Sequence, residues 1–235
     1  MTRVLVGNGN DMFRLLKTCG VVGLVLASSM AFGEALPFQC GRLDNHYGPF
    51  DYRTDKSKLP VVEHRHFTPQ IETLQSGMSG TIAADLDYTL RAFPNHHRAL
   101  LAMVRLGERD RTASPRGARY TVDCYLRRGE VFRADDGVVK MLRGIFMMKQ
   151  GDNKGAIEKL QEARTLNPND ANLNYNLGLA FFRLNRFDEA LEQAHLAYGA
   201  GFSLPGLKSM LQKAGKWRDA PVSSEVQSPS ETPAD

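Results

Sequence analysis

Between Gly137 and about Phe202 the apolar residues recur with a helical period, and the whole pattern is written twice. A shift of 34 residues lays Gly144 on Gly178, Met147 on Phe181, Ala156 on Ala190 and Ala163 on Ala197. Asn167-Pro168-Asn169-Asp170 closes the first copy and leads directly into the second. Each copy predicts two amphipathic helices joined by a tight turn, at Gln150-Gly151-Asp152-Asn153 and at Leu184-Asn185-Arg186-Phe187. The small residues fall where two helices must cross closely, and the large apolar ones fill the space beside them. A self-similar period of this length marks an all-α helical solenoid.

Upstream the same pattern is weaker. From Gly80, the positions Ile82, Leu86, Leu90 and Phe93-Pro94 read as the second helix of a degenerate pair. Asn95 is placed to cap a following helix from His97 to Leu106, which Gly107 would stop. Residues 108–119 are charged and broken by Pro115 and Gly117, so they read as an inserted loop before a helix from Tyr120 to Ala134. Residues 34–67 hold Pro37, Gly41, Gly48, Pro49 and Pro60 without helical periodicity and read as an extended arm. Its aromatics predict that it packs along the helices. Thr68-Pro69 then restarts helix, giving a degenerate region over 68–136 and two clean copies over 137–203. Leu204-Pro205-Gly206 opens a capping helix over 204–218 with a wettable outer face (Lys208, Gln212, Lys213, Lys216). Residues 219–235 lack any apolar period and read as a disordered tail.

The motifs Asn176-Leu177-Gly178…Phe181…Ala190…Ala197 and Gly144…Met147…Ala156…Leu160…Ala163…Pro168 resemble the tetratricopeptide repeat (TPR). Lys140 and Asn174 stand where that family usually has Trp, and Phe202 stands where a closing Pro is expected. Gly48-Pro49-Phe50-Asp51-Tyr52-Arg53 and the stretch Ala92 to Leu100 are similar to bacterial exported TPR proteins of unassigned role. The resemblance implies a solenoid of three to four helix pairs whose first helices line a concave groove that selects a partner. Carried over by alignment, the groove positions are Arg98, Leu101 and Arg105, then Val138, Met141, Ile145, Met148 and Lys149, then Asn172, Tyr175, Leu179, Phe182 and Arg183. An apolar, Met-rich surface edged with Arg and Lys suits an extended or helical peptide with a few carboxylates. Met141 and Ile145 replace the polar pair of TPRs that clamp a terminal carboxylate, which argues against that activity.

Charge and cysteines locate the protein. Residues 1–33 place Arg14 and Lys17 before an uncharged, Val/Leu/Ala-rich run that ends in Ala31-Phe32-Gly33. This reads as a signal peptide cleaved near Gly33, hence a periplasmic protein that touches the membrane only if the segment stays uncleaved. The 235-residue chain has a net charge of +4. The first 33 residues hold three bases and one acid, and residues 219–235 four acids and no base, so residues 34–218 carry +6. That is too little, and too scattered, for nucleic-acid binding. Cys19 leaves with the leader, and the remaining Cys40 and Cys124 form an even pair that predicts one disulfide in an oxidising compartment.

Catalytic signatures are missing: no Gly-x-Ser-x-Gly, phosphate loop or dinucleotide fingerprint occurs. No cofactor is implied. His46, His64, His66, His96 and His97 lie outside the clean repeats and offer the one alternative, a small metal-binding or hydrolytic protein. Neither His-x-His nor His-His alone defines a site. The expectation is a non-enzymatic scaffold that binds a protein or peptide of an envelope complex.

Overall fold

The computed structural model describes residues 35–220 except Ser79. The expected export segment 1–33 and the stretch 221–235 of the expected tail lie outside the described residues. Helices alternate with short turns throughout: α1 (Leu59–His66), α2 (Pro69–Glu72), α3 (Ile82–Ala92), α4 (His97–Arg109), α5 (Val122–Phe132), α6 (Gly137–Lys149), α7 (Asn153–Leu166), α8 (Ala171–Arg183), α9 (Phe187–Gly199) and α10 (Gly206–Lys213). No strand occurs among the described residues. Helix α6 packs on α7 and α8 on α9 as pairs, and the first helices α4, α6, α8 and α10 also lie against one another in order. The architecture is the expected all-α, TPR-type solenoid of stacked helix pairs.

Local chemistry sets most helix starts. Thr81, Thr121, Asp136, Asp152 and Asp170 each accept a hydrogen bond from a free backbone N–H of the first turn. The cap positions also expose a second period. His96 and Asp136, which cap α4 and α6, are 40 residues apart, whereas Asp136 and Asp170 are 34 apart. Thr81 and Thr121 are again 40 apart, so the early region repeats with six extra residues, taken up by the loop between α4 and α5.

Two apolar clusters stack along the array. One gathers Phe67, Ile71, Leu86, Leu100, Met103, Leu126 and Val139, the other Leu160, Leu173, Leu177, Phe181, Leu207 and Leu211. Val138 touches both and makes the core continuous. A β-carbon on Gly144 would lie 2.7 Å from Leu160 of α7, and one on Gly178 would lie 2.5 Å from Leu207 of α10. The small residues therefore do sit at close helix crossings. In the Trp slot of the first clean copy, Lys140 instead reaches Glu130 (3.3 Å) and Glu162 (2.8 Å). Glu130 also receives Lys159 at 2.7 Å and pairs with Arg143. Burial would raise the Glu130 carboxyl, but these cations more than offset it and bring the group down to about 2.

Several boundaries differ from the sequence reading. The arm is not extended to its end, because α1 forms within it and buries Leu59 and Val62 with Ala92 and Phe93. Pro60 looked like a breaker there, but it occupies the first helical turn, where a missing N–H costs nothing. The cap of α4 is His96 rather than Asn95. Gly107 does not end α4: the helix runs on to Arg109, and the bare α-carbon of Gly107 admits Val122, which a β-carbon would meet at 2.8 Å. The last helix stops at Lys213, short of Trp217.

Candidate interaction surface

The first helices α4, α6 and α8 carry all thirteen residues expected to face a partner. Leu101, Ile145, Tyr175, Leu179 and Phe182 are half-buried, as is Val138, and Arg98, Arg105, Lys149, Asn172 and Arg183 are exposed. Met141 and Met148 are a correction. At 7% and 3% exposure they belong to the second apolar cluster and offer a partner no surface. A fixed 34-residue carry-over finds the right helix, but depth within the stack depends on side-chain packing that alignment does not contain.

The arm takes another route. Cys40 lies against Cys124 of α5, with their sulfurs 2.00 Å and their α-carbons 5.0 Å apart. The buried Arg128 of α5 donates to the carbonyls of Cys40 (2.9 Å) and Arg42 (2.6 Å). Phe50 N–H donates to the carbonyl of Ala92 at the end of α3, and Arg91 reaches Asn45. Asp51 meets the turns before α4 and α6, accepting from Asn95 at 2.7 Å and pairing with Arg133 at 2.7 Å. Asn95, fully buried, also donates to Asp136 at 2.9 Å and accepts from Tyr52 N–H. The described arm thus packs on the second helices α3 and α5 and on inter-repeat turns, and it meets the N-terminal end of α4, where Tyr52 lies 5.0 Å from His97 and Phe67 lies 5.3 Å from Arg98.

Cations bind the ends of the first helices together. Arg183 of α8 donates to the Met148 carbonyl of α6 (2.7 Å), Lys149 of α6 pairs with Glu108 of α4 (2.6 Å), and Arg109 of α4 donates to the Leu74 carbonyl (2.8 Å). Each cation sits at a helix C-terminus, where its charge also opposes the dipole of that helix. Lys149 and Arg183, expected to meet a partner, are therefore engaged within the stack. Arg98 pairs with Glu72, which raises the guanidinium pKa and lowers that of the carboxyl. At the far end Tyr175 stacks on Phe202 with ring centres 4.3 Å apart, and Phe182 meets Phe187 edge-on.

Three of the histidines of the metal alternative, His66, His96 and His97, each bond to a different carboxylate. His66 bonds to Asp85 (2.9 Å) and stacks on Tyr88, and His97 bonds to Asp136 (2.9 Å). His96 accepts the Ala99 N–H on Nδ1, which leaves Nε2 to donate to Glu63 at 3.0 Å. Burial lowers its pKa to about 3, and the charge of Arg98 acts in the same direction, so the ring is neutral at pH 7. His46 and His64 are exposed. Among the described residues no group of three or more His, Cys, Asp or Glu is arranged to hold a metal ion. No helix among them is long and apolar enough to cross a membrane.

Stacked helix pairs, close-crossing glycines and a run of first helices with half-buried apolar side chains define a TPR-type scaffold, a class associated with protein–protein interaction rather than catalysis. The comparisons agree: a TPR repeat model matches residues 147–185, from the last turn of α6 through α7 and α8. The chain is also 37% identical over 62 residues to BBSome complex member BBS4 of Bos taurus, a match that covers 26% of this chain and 12% of that protein. The chain is thus TPR-repeat-containing and distantly similar to a eukaryotic TPR protein over a short part of its length.

Proposed function

We propose that this chain is an exported interaction module that holds a peptide of an envelope complex against α4, α6 and α8. In this reading the leader delivers it, the arm 34–67 braces the degenerate region 68–136, and α4 together with the copies over 137–203 does the binding. The observation that carries the proposal is the half-buried apolar row Leu101, Val138, Ile145, Leu179 and Phe182 along the first helices. The exposed Arg105 of α4 lies at one margin of that row, where Arg98 is already paired with Glu72, so a partner with apolar anchors and a carboxylate near Arg105 is complementary. Similarity to a protein described as a complex member supports a role in assembly. The close approach of Cys40 and Cys124 supports a disulfide, and with it an oxidising compartment.

The test is crosslinking capture from the envelope fraction by wild type, Ile145→Asp and Phe182→Asp. Truncating or charging an anchor residue costs on the order of 2 kcal/mol, more than tenfold in affinity. A partner retained by wild type and lost by both variants, with circular dichroism unchanged, is expected. Equal capture by all three would reject the surface.

A further inference from the structure

The array ends unevenly. Pro205, before α10, lies 35 residues after Asp170, before α8, so α10 stands in the register of a first helix, and it packs on α8 and α9. No second helix follows it among the described residues: Gly215 turns the chain with φ +66°, and 214–220 are irregular. Beside α10 lies a cavity of about 460 Å³, lined by Tyr198, Pro205, Lys208, Trp217 and Ala220 among others. Trp217 packs edge-on to His195 (5.2 Å) and Tyr198 (6.2 Å). Leu196 of α9 and Leu204 remain 46% and 58% exposed.

We propose that this end is a second docking surface, where an acidic amphipathic helix of a partner protein takes the second-helix position beside α10. The apolar lining supplies the buried seam, and its margin is basic. Lys208 lies over the Trp217 ring and Lys216 over the Phe187 ring, and Lys213 is exposed. Arg218 is matched by Asp188 (2.8 Å), and Asp219 accepts from the Trp217 indole at 3.0 Å, so the lysines set the sign. A second copy is the wrong occupant, because two-fold pairing would set these lysines against themselves. The helix required has about the length of α7 and α9, 14 and 13 residues. Its chemistry has a precedent within the chain, since α9 carries Asp188, Glu189 and Glu192 and no Lys or Arg.

Trp217 is the only tryptophan of the chain and reports on this cavity directly. A synthetic peptide copying Phe187–Gly199 contains none and serves as the probe. Titrated into the full chain, it is expected to shift Trp217 emission saturably to shorter wavelength. The D188N/E189Q/E192Q peptide is expected to bind roughly tenfold more weakly, and 0.5 M salt to erase that difference. Ser203→Phe, which fills the cavity from its rim, is expected to abolish the shift while the far-ultraviolet spectrum is unchanged. A shift of equal affinity with the neutralised peptide, or none at all, would overturn the proposal. So would a shift seen only after residues 221–235 are removed, which would assign the cavity to the chain's own C-terminal segment.

Discussion

His96 shows how one side chain can anchor a repeat junction. It caps α4 through Nδ1, fixes Glu63 of α1 through Nε2, and packs between Tyr52 (4.1 Å) and Phe67 (4.7 Å). The cap fails for an imidazolium, which has no acceptor to offer Ala99. The folded-state pKa of about 3 lies below the ordinary value of 6.5. Between those values the unfolded chain binds a proton that the folded chain does not, so stability is full above pH 6.5 and declines as pH falls toward 3. Asp51 and Asp136 are also lowered: burial opposes ionisation, but Arg53 and Asn95 at the first and His97 at the second outweigh it. Their contribution is lost only below the ordinary carboxylate range. The two windows separate in a melting experiment. Wild type is expected to lose melting temperature steadily from pH 6.5 to 4.5. His96→Asn, which keeps a capping acceptor but does not titrate, is expected to melt lower at pH 7 and stay nearly flat over that window. A parallel slope in both proteins would refute the role of His96.

At the level of the element, the close crossings carry the stability of the array. Gly178 lets Leu207 of α10 reach the backbone of α8, and Leu207 and Leu211 are fully buried there. Gly178→Ala is expected to displace α10 at a cost of about 2 kcal/mol, the range for overpacking a tight contact. The melting temperature would fall by about 6 °C, and Trp217 emission would move to longer wavelength as its packing loosens. An unchanged emission spectrum would show that α10 stays seated. These crossings were legible in the sequence because glycine and alanine recur at fixed offsets, and so were the helix pairs that obey that period. The helix α1 was not, since Pro60 punctuates a stretch whose buried apolar residues, Leu59 and Val62, find their cluster partners Ala92 and Phe93 far along the chain. The 40-residue spacing was also missed: it rests on Thr81, Thr121, His96 and Asp136, cap positions without an apolar signature. Nothing in the order of residues separates Met141 and Met148 from Ile145 on the same helix, because their burial is decided by neighbouring helices.

On the scale of the whole molecule, the arm is fixed mainly to second helices, whereas the proposed binding face belongs to first helices. The arm is fixed to the second helices α3 and α5, by Arg128 and by Cys40 against Cys124, and to the turns through Asp51 and Asn95. The apolar row belongs to α4, α6 and α8. Stability and recognition should therefore separate. A cross-link between residues 84 apart removes chain entropy from the unfolded state worth about 4 kcal/mol, an upper figure in the loop-closure model. Removing it by Cys40→Ser with Cys124→Ser is expected to lower the melting temperature by roughly 10 °C in a domain of this size. Reductant should bring wild type down to meet the variant and leave the variant unmoved. Partner capture below both melting temperatures should be the same with or without the bond, because the arm does not border Ile145 or Phe182. If instead the cysteine variant loses capture while still folded, the arm acts on the binding face through the turns that Asn95 holds, and the brace and the recognition surface are one device.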